Sequence, residues 1–506
     1  MKAVNIIGAG LGGLYLSICL ARKGIHSNLI SQMPSERSQS ILGEGGINVA
    51  IGDGDSLDSH IEDTLRGGAH LEDRDNVIQL VSNAKDIVND LIKLGVPFER
   101  KNNQLVLRNF GGQTNKRTAY SKTSTGKMIM TSLIDEGRKY ESLGLINRLS
   151  HHECVDVKIV NNECEYIVIK DLFADKCYRL TGTLVVASGG LNGFFEGSVT
   201  GSSLNNASLQ ASLFSNGMEF KNLEFIQYHP TTIDIKSKRL LISEAARGEG
   251  GRLFYFDNNG NKDYFLEKKY PDKGNLMTRD IISREEYMLI QEGKQIYLDM
   301  TEVNTNKWKT TLSDLRNEIM DYLGIDPIEE YIPVTPGIHY FMGGISVTIN
   351  HQTSAKNIYA IGEAASIYHG ANRLGGNSIL GALVGAKVVS KALEEKDVSE
   401  SKLEETKYEK KTINAQKNMQ IRNILLNSMG IVRNEKSLKQ SLGELDKLLD
   451  EDNAVYVNFA KAMITSALNR KESRGAHYRS DYPDSSTSYK KQTIVKCDKE
   501  IKVSLK

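Results

Sequence analysis

The chain has 506 residues, more than one hydrophobic core organises, and at roughly 150 residues per domain it predicts about two to four domains rather than a small binding module. Its 64 basic and 63 acidic residues leave a net charge of +1, so no excess positive charge is present to hold a nucleic-acid backbone or an anionic membrane. A hydrophobic fraction of 40% with 25% charged residues excludes wholesale disorder.

The first predicted element is a short apolar strand, Ala3 to Ile7, followed by Gly8-Ala9-Gly10-Leu11-Gly12-Gly13 and an apolar helix from Leu14 to Ala21. In a strand, glycine turn, helix order Gly8 permits the tight turn and Gly10 lets the backbone approach a pyrophosphate. Gly13 lets the helix pack closely on the strand, and the helix N-terminus faces the phosphates. A second strand, Ser27 to Ile30, ends at Ser31, where a dinucleotide site often carries an acid for the ribose hydroxyls; Ser31 retains a hydrogen bond only. Gly43-Glu44-Gly45-Gly46-Ile47 is a second glycine cluster, either another close backbone approach to one long ligand or an ordinary loop. Strands are predicted at Leu184 to Ala187, ending in Ser188-Gly189-Gly190, and at Ile358 to Ile361, before Gly362-Glu363. These strand ends surround a segment of different character. They predict a discontinuous nucleotide domain, residues 1–224 and 346–392, with an inserted domain over 225–345. Ala392 to Lys417 reads as a Glu/Lys-rich helix with a solvated face, and helical patterns run on to about Arg470. A helical C-terminal domain over 393–484 is therefore expected, then a polar tail over 485–506 with a β-like piece at Thr493 to Val495.

The inserted segment and its borders carry the chemistry. Gln227-Tyr228-His229-Pro230-Thr231, Ser243-Glu244-Ala245-Ala246-Arg247-Gly248, Thr278-Arg279-Asp280, Gly337-Ile338-His339-Tyr340 and Gly370-Ala371-Asn372-Arg373 each set His, Arg or Glu beside glycine or proline. Two His and two or three Arg in one cleft suit a dianionic substrate, because Arg presents a planar fork to a carboxylate and His a tunable donor. The five cysteines are scattered without a Cys-x-x-Cys pair, so no metal site, cluster or disulfide framework is predicted, and redox chemistry needs an organic cofactor. The N-terminus shows no signal-peptide order and no run reaches the ~18 apolar residues of a membrane span. A cytoplasmic protein without an intrinsic membrane segment is the expectation.

Together with Glu472-Ser473-Arg474-Gly475, these blocks resemble the fumarate reductase, succinate dehydrogenase and L-aspartate oxidase group of FAD flavoproteins over almost the whole chain. The resemblance implies an α/β fold: a Rossmann-type FAD-binding domain, an inserted α+β capping domain and a C-terminal helical domain. It assigns the FAD pyrophosphate to Gly8, Gly10 and Gly13, and the ring region to Ser38, Gly45, Gly46, Glu363 and Ser378. Gly12, Ser31, Gln39, Ser188, Gly189, Gly190 and Gly376 complete the implied cofactor set. By the same similarity His339 and Arg373 hold one carboxylate of a small dicarboxylate, and His229 and Ser243 the other. Flavin N5 exchanges a hydride with an alkene carbon, Arg279 protonates the second carbon, and Glu244 with Arg247 reprotonates Arg279.

Departures from the pattern carry information too. Arg37-Ser38-Gln39-Ser40 has Gln39 where many relatives attach FAD covalently through His, so non-covalent FAD is expected. Thr200-Gly201-Ser202-Ser203 replaces a Thr-Gly-Asp-Gly near the adenosine. His60 to Leu65 and Leu94 to Phe98 look like L-aspartate oxidase, whereas Asn109-Phe110-Gly111-Gly112-Gln113 and the Tyr489 to Thr493 segment look like the reductases. Aspartate oxidases usually carry Glu at the place of Phe110, facing the substrate ammonium. A fumarate reductase or succinate dehydrogenase type enzyme is favoured, with L-aspartate oxidase as the alternative. A non-catalytic FAD-binding interaction protein and an NAD(P)H-dependent flavin reductase are remoter readings, the last lacking a second strand, glycine, helix fingerprint. Electrons would come from a partner subunit or a small reductant.

Overall fold

The computed structural model describes residues 2–195, 197, 199–235, 238–396, 398–408 and 414–506. A parallel five-stranded sheet lies at the centre of the nucleotide region, in the order Ile358–Ala360, Leu184–Val186, Ala3–Ile7, His26–Ser31, Ile146–Ser150. Its three strands Ile358–Ala360, Leu184–Val186 and Ala3–Ile7 are buried and largely apolar, as strands covered on both sides require, whereas His26–Ser31 and Ile146–Ser150 turn polar toward the edge. The helix of the glycine turn runs from Leu11 to Ala21 with ten of its eleven residues buried, so it is a core helix. It packs between the helices Thr125–Ser142 and Asn377–Glu394. Gly8, Ser31, Ser188 and Gly362 all follow or end strands at the carboxyl edge of this sheet, where open α/β sheets bind ligands.

The inserted segment builds a second, six-stranded sheet: Lys238–Leu241, Ile226–Ile235, Ile332–Phe341, Ile296–Asp299, Arg252–Phe256, Lys262–Asp263. The helix Arg279–Gln291 covers the two long central strands. A separate apolar cluster, including Ile242, Leu253, Ile282, Leu298 and Trp308, gives this α+β unit a core of its own.

Three helices, Ala415–Ser428, Glu435–Leu448 and Ala454–Asn469, form the helical C-terminal part. Phe459 of the last one packs against Phe194, Phe214 and Phe220 with ring centroids 5.1 to 5.8 Å apart.

Two stretches differ from the sequence reading. Between Ala392 and Lys417 the helix ends at Glu394, and Leu403–Thr406 is a strand paired antiparallel with Cys177–Leu180; residues 397 and 409–413 lie outside the described residues. Leu403, Glu404 and Glu405 are exposed, so an edge strand and a solvated helix face leave the same polar pattern. The polar tail is a hairpin, Thr493–Asp498 with Glu500–Leu505, that joins Phe220–Lys221 and Gly344–Ser346 in a five-stranded sheet.

Candidate functional site

Two neighbouring strands of the inserted sheet bring the histidines together. His229 lies opposite Gly337, and the ladder is irregular on both sides of His229, where Pro230 supplies no N–H. Such irregularities re-aim side chains. The rings of His229 and His339 stand edge to face with centroids 5.1 Å apart. The Thr200 hydroxyl is 2.8 Å from His339 Nδ1, and Thr231 Oγ1 is 3.3 Å from His229 Nδ1.

Around them converge three arginines. Arg279 opens its helix and donates through Nε and Nη2 to Glu244 Oε2 at 3.0 and 2.5 Å, a bidentate approach to one oxygen. Its Nη1 donates to Gln227 Oε1 at 3.1 Å, and Arg373 Nη2 donates to that same oxygen at 3.0 Å. Gln227 in turn donates to Asn372 Oδ1 and to the Arg373 carbonyl at 2.8 and 2.7 Å, and Asn372 donates to Asp280 at 3.0 Å. One amide thus sets the spacing of two cations that would otherwise repel. Arg247 stands behind Glu244, with Nη2 3.6 Å from Glu244 Oε1, and the Gly111 amide donates to that oxygen at 2.9 Å.

The charges follow from burial and neighbours. Burial pushes both imidazoles well below the ordinary histidine value, and Arg279 pushes in the same direction, so both are neutral. Burial would raise Glu244, but Arg279 and Arg247 outweigh it and hold the carboxylate below its usual value. Arg373 is pushed down to about 9 by burial and by Arg279, which leaves it charged at neutral pH. Three guanidinium groups against the Glu244 carboxylate leave two positive charges, the complement of a dicarboxylate.

His229, Ser243, Glu244, Arg279, His339 and Arg373 all line one cavity of about 1140 Å³, part of it open to solvent. Phe110 lines it as well, its ring set against Gly45. Gly12, Gly45, Gly46, Glu363, Gly376 and Ser378 line the same cavity. Gly8, Ser31, Ser38 and Ser188 line a second cavity of about 910 Å³. The two share Gly10, Gln39, Ser40, Ala187, Gly189 and Asn205, so together they form one elongated slot ending at the histidines. Gly13, Gly190 and Arg247 line neither cavity: Gly13 and Gly190 sit under the turn and against Glu363, and Arg247 lies behind Glu244.

The slot suits a dinucleotide. Gly8 has φ +112°, and a Cβ there would lie 2.2 Å from the Ala187 carbonyl, so the backbone alone forms this wall. Ser38 Oγ and Gln39 Oε1 are buried without a hydrogen-bond partner among the described residues, which is costly unless a ligand meets them. Burial lifts the Glu363 carboxyl to about 7 where it lines the cavity with the histidines. Ser31, by contrast, already donates to the Met33 carbonyl at 2.8 Å.

A FAD binding domain model matches residues 4–379, and a fumarate reductase flavoprotein C-terminal model matches residues 454–506. The chain belongs to the fumarate reductase, succinate dehydrogenase and L-aspartate oxidase family of FAD flavoproteins. It is similar to an L-aspartate oxidase of Pyrococcus furiosus, 35% identical over 98% of this chain and 99% of the relative. It is also similar to a succinate dehydrogenase flavoprotein subunit of Bacillus subtilis, 31% identical over 96% of this chain and 92% of the relative. Among solved structures, an E. coli quinol fumarate reductase chain superposes with a TM-score of 0.89 at 24% identity, over 100% of this chain and 97% of that one. An adenylylsulfate reductase of Archaeoglobus fulgidus superposes with a TM-score of 0.79 at 15% identity, over 100% and 95%. At such identities the superpositions speak for the fold alone, which is the mixed α/β flavoprotein fold with its C-terminal helical part. The protein is an FAD-dependent oxidoreductase of this family. No helix among the described residues is long and apolar enough to cross a membrane.

Gln227, Asn372 and Glu44 acquire a place in the site only from the structure. Glu44 lines the cavity; burial and then the Glu318 charge lift its carboxyl well above the ordinary value, which Ser243 opposes. Its position between glycines was the available signal, since a charged residue in a tight backbone turn is held close to whatever the turn cradles.

Proposed function

We propose that this flavoprotein reduces fumarate, or a close C4 ene-dicarboxylate, as a fumarate reductase or succinate dehydrogenase type enzyme. The observation that carries this reading is a buried pair of neutral imidazoles flanked by Arg279 and Arg373, with two net positive charges at the histidine end of the proposed FAD slot. In this reading Arg373 and His339 hold one carboxylate, and His229 and Ser243 the other. Clamping both ends fixes the alkene in one orientation, and the cations meet the charge that develops on carbon. FAD, when bound, supplies the hydride. Arg279 delivers the proton to the second carbon. An arginine serves as acid only if its proton is replaced as it leaves, and Glu244, in contact with Arg279 and facing Arg247, provides that route.

Gln39 lines both cavities with an amide that has no nucleophilic ring nitrogen, which supports non-covalent FAD. Electrons would enter from a partner subunit or a small reductant.

A second reading, oxidation of L-aspartate, is favoured by the 35% identical Pyrococcus relative. Against it stands Phe110, 1% exposed, which offers an ammonium group no counter-charge. The test is turnover of fumarate with a reduced dye, of succinate with an oxidised dye, and of L-aspartate with oxygen. Fumarate reduction faster than aspartate-dependent peroxide formation supports the first reading; the reverse order replaces it with the second.

A further inference from the structure

Phe110 to Gln113 is a four-residue turn, closed by the Gln113 amide donating to the Phe110 carbonyl at 3.2 Å, with Gly112 at φ +81° in its third position, a conformation that favours glycine. Its tip is driven into the site. The Gly111 amide donates to Glu244 Oε1 at 2.9 Å, and the Gly112 amide to the Leu276 carbonyl at 3.0 Å. A Cβ on Gly111 would lie 2.5 Å from the Met277 carbonyl oxygen, and one on Gly112 would lie 2.8 Å from the side chains of both Leu374 and Thr278. The turn thus meets Glu244, the residues that lead into Arg279, and the residue after Arg373.

The Gln113 side chain fixes this turn from behind. Its Oε1 accepts from the Phe110 amide at 3.1 Å, and its Nε2 donates to Asn48 Oδ1 at 3.0 Å and to the Gly375 carbonyl at 3.3 Å. Asn48 in turn donates to the Gly375 carbonyl at 2.8 Å and to Asn377 Oδ1 at 2.7 Å, and accepts from the Thr118 hydroxyl at 2.6 Å. Both amides are buried and fully hydrogen-bonded, and Gln113 lines neither cavity. A filler would need no polar atoms here. We propose that Gln113 is a positioning residue for proton delivery, which acts by holding the Gly111 N–H on Glu244. The inference rests on the functional reading above, in which Glu244 returns a proton to Arg279. Glu244 faces Arg279 through Oε2, and faces both the Gly111 N–H and Arg247 through Oε1. Arg247 Nη2, 3.6 Å away and without a hydrogen-bond partner among the described residues, would draw the carboxylate off Arg279 if the N–H did not hold it.

Gln113→Met, which keeps the volume and loses both hydrogen-bonding ends, tests this as the FAD holoenzyme, alone and combined with Glu244→Gln. Fumarate kcat should fall by about tenfold or more. KM should stay within about twofold, because Asn48 keeps both of its bonds to the loop that carries Arg373. In the Glu244→Gln background the same substitution should cost less than about twofold, since no proton route is left to aim. Hydrogen exchange should show Phe110 and Gly111 losing protection while the rest of the fold keeps it. The proposal is overturned by equal losses in the two backgrounds, by wild-type turnover of Gln113→Met, by unchanged protection at Phe110 and Gly111, or by loss of FAD and a lower melting temperature, which would make Gln113 a strut. If wild-type enzyme reduces no ene-dicarboxylate, the functional reading fails by itself, and hydrogen exchange still decides whether Gln113 holds the Gly111 amide in place.

Discussion

Arg373 is aimed before any substrate arrives. Nη1 donates to Ser378 at 2.9 Å, Nη2 donates to Gln227 at 3.0 Å, and the guanidinium lies 4.3 Å over the Tyr340 ring. Arg373→Ala should therefore weaken succinate or fumarate binding by about 2–5 kcal/mol while FAD stays bound, read by titration of the holoenzyme. Arg279→Lys keeps a charge but loses the fork that meets Glu244 and Gln227 together; its turnover should fall by at least ~10²-fold with affinity changed much less. Equal losses in both would make Arg279 a binding group instead. The histidines give a third expectation. They are neutral because burial and the arginines depress them, and a bound dianion opposes those charges, so binding should draw protons in. The sign is then that affinity improves as pH falls from 8 to 6, by up to about tenfold per unit for each proton taken up. Calorimetry in buffers of different ionisation heat measures that uptake directly. The His and Arg positions were legible because glycine and proline beside them mark backbone geometry. Gln227 and Asn372 act through partners at Arg373 and Asp280, remote in sequence, and an amide in a strand has no local signature of that role.

At the scale of elements, the motif Glu472 to Gly475 belongs to the bracing of the loop that carries Arg373. Arg470 pairs with Glu224 at 2.6 Å and Glu472 at 2.9 Å, all three fully buried, and donates to the Tyr489 and Lys491 carbonyls. Thr493 of the hairpin donates to Glu224 at 2.5 Å. Beyond this network the Ala476 amide donates to the Ala371 carbonyl at 2.9 Å, two residues before Arg373. Arg470→Met would leave the buried Glu224 carboxylate without its ion-pair partner, while Glu472 keeps Arg474 at 2.7 Å, at a cost of about 3–5 kcal/mol. Hydrogen exchange should show the hairpin losing protection, and dicarboxylate affinity should fall although no substrate contact has changed. Such links between distant segments are what the sequence conceals. The glycine turn was readable in six consecutive residues, yet the start of its helix was not: Gly12 and Gly13 lie inside the helix, whose first residue is Leu11 rather than Leu14. The strand Leu403–Thr406 exists because Cys177–Leu180 offers a free edge, information that lies over 200 residues away.

For the whole molecule, the non-covalent FAD proposed from Gln39 would make stability a function of cofactor concentration. Free FAD at a hundred times its dissociation constant should stabilise the fold by about 2.7 kcal/mol, seen as a melting temperature that rises with added FAD. Acid or denaturant should release all of the flavin, leaving colourless protein; retained yellow colour would contradict the reading of Gln39.

The sheet built from residues 220–221, 344–346, 365–366 and 493–505 draws its strands from far apart in the chain. On the ribosome, the strand Phe220–Lys221 waits through the synthesis of some 270 residues before its hairpin partner emerges. Until then its open edge is a place for wrong pairing, and the loop that carries Arg373 lacks its brace. The helix of the glycine turn likewise waits for Asn377–Glu394 to cover it, and the loop carrying Arg373 should be fully braced only once the hairpin docks. Stalled or clipped chains should therefore be clients of chaperones and proteases, not slower enzymes.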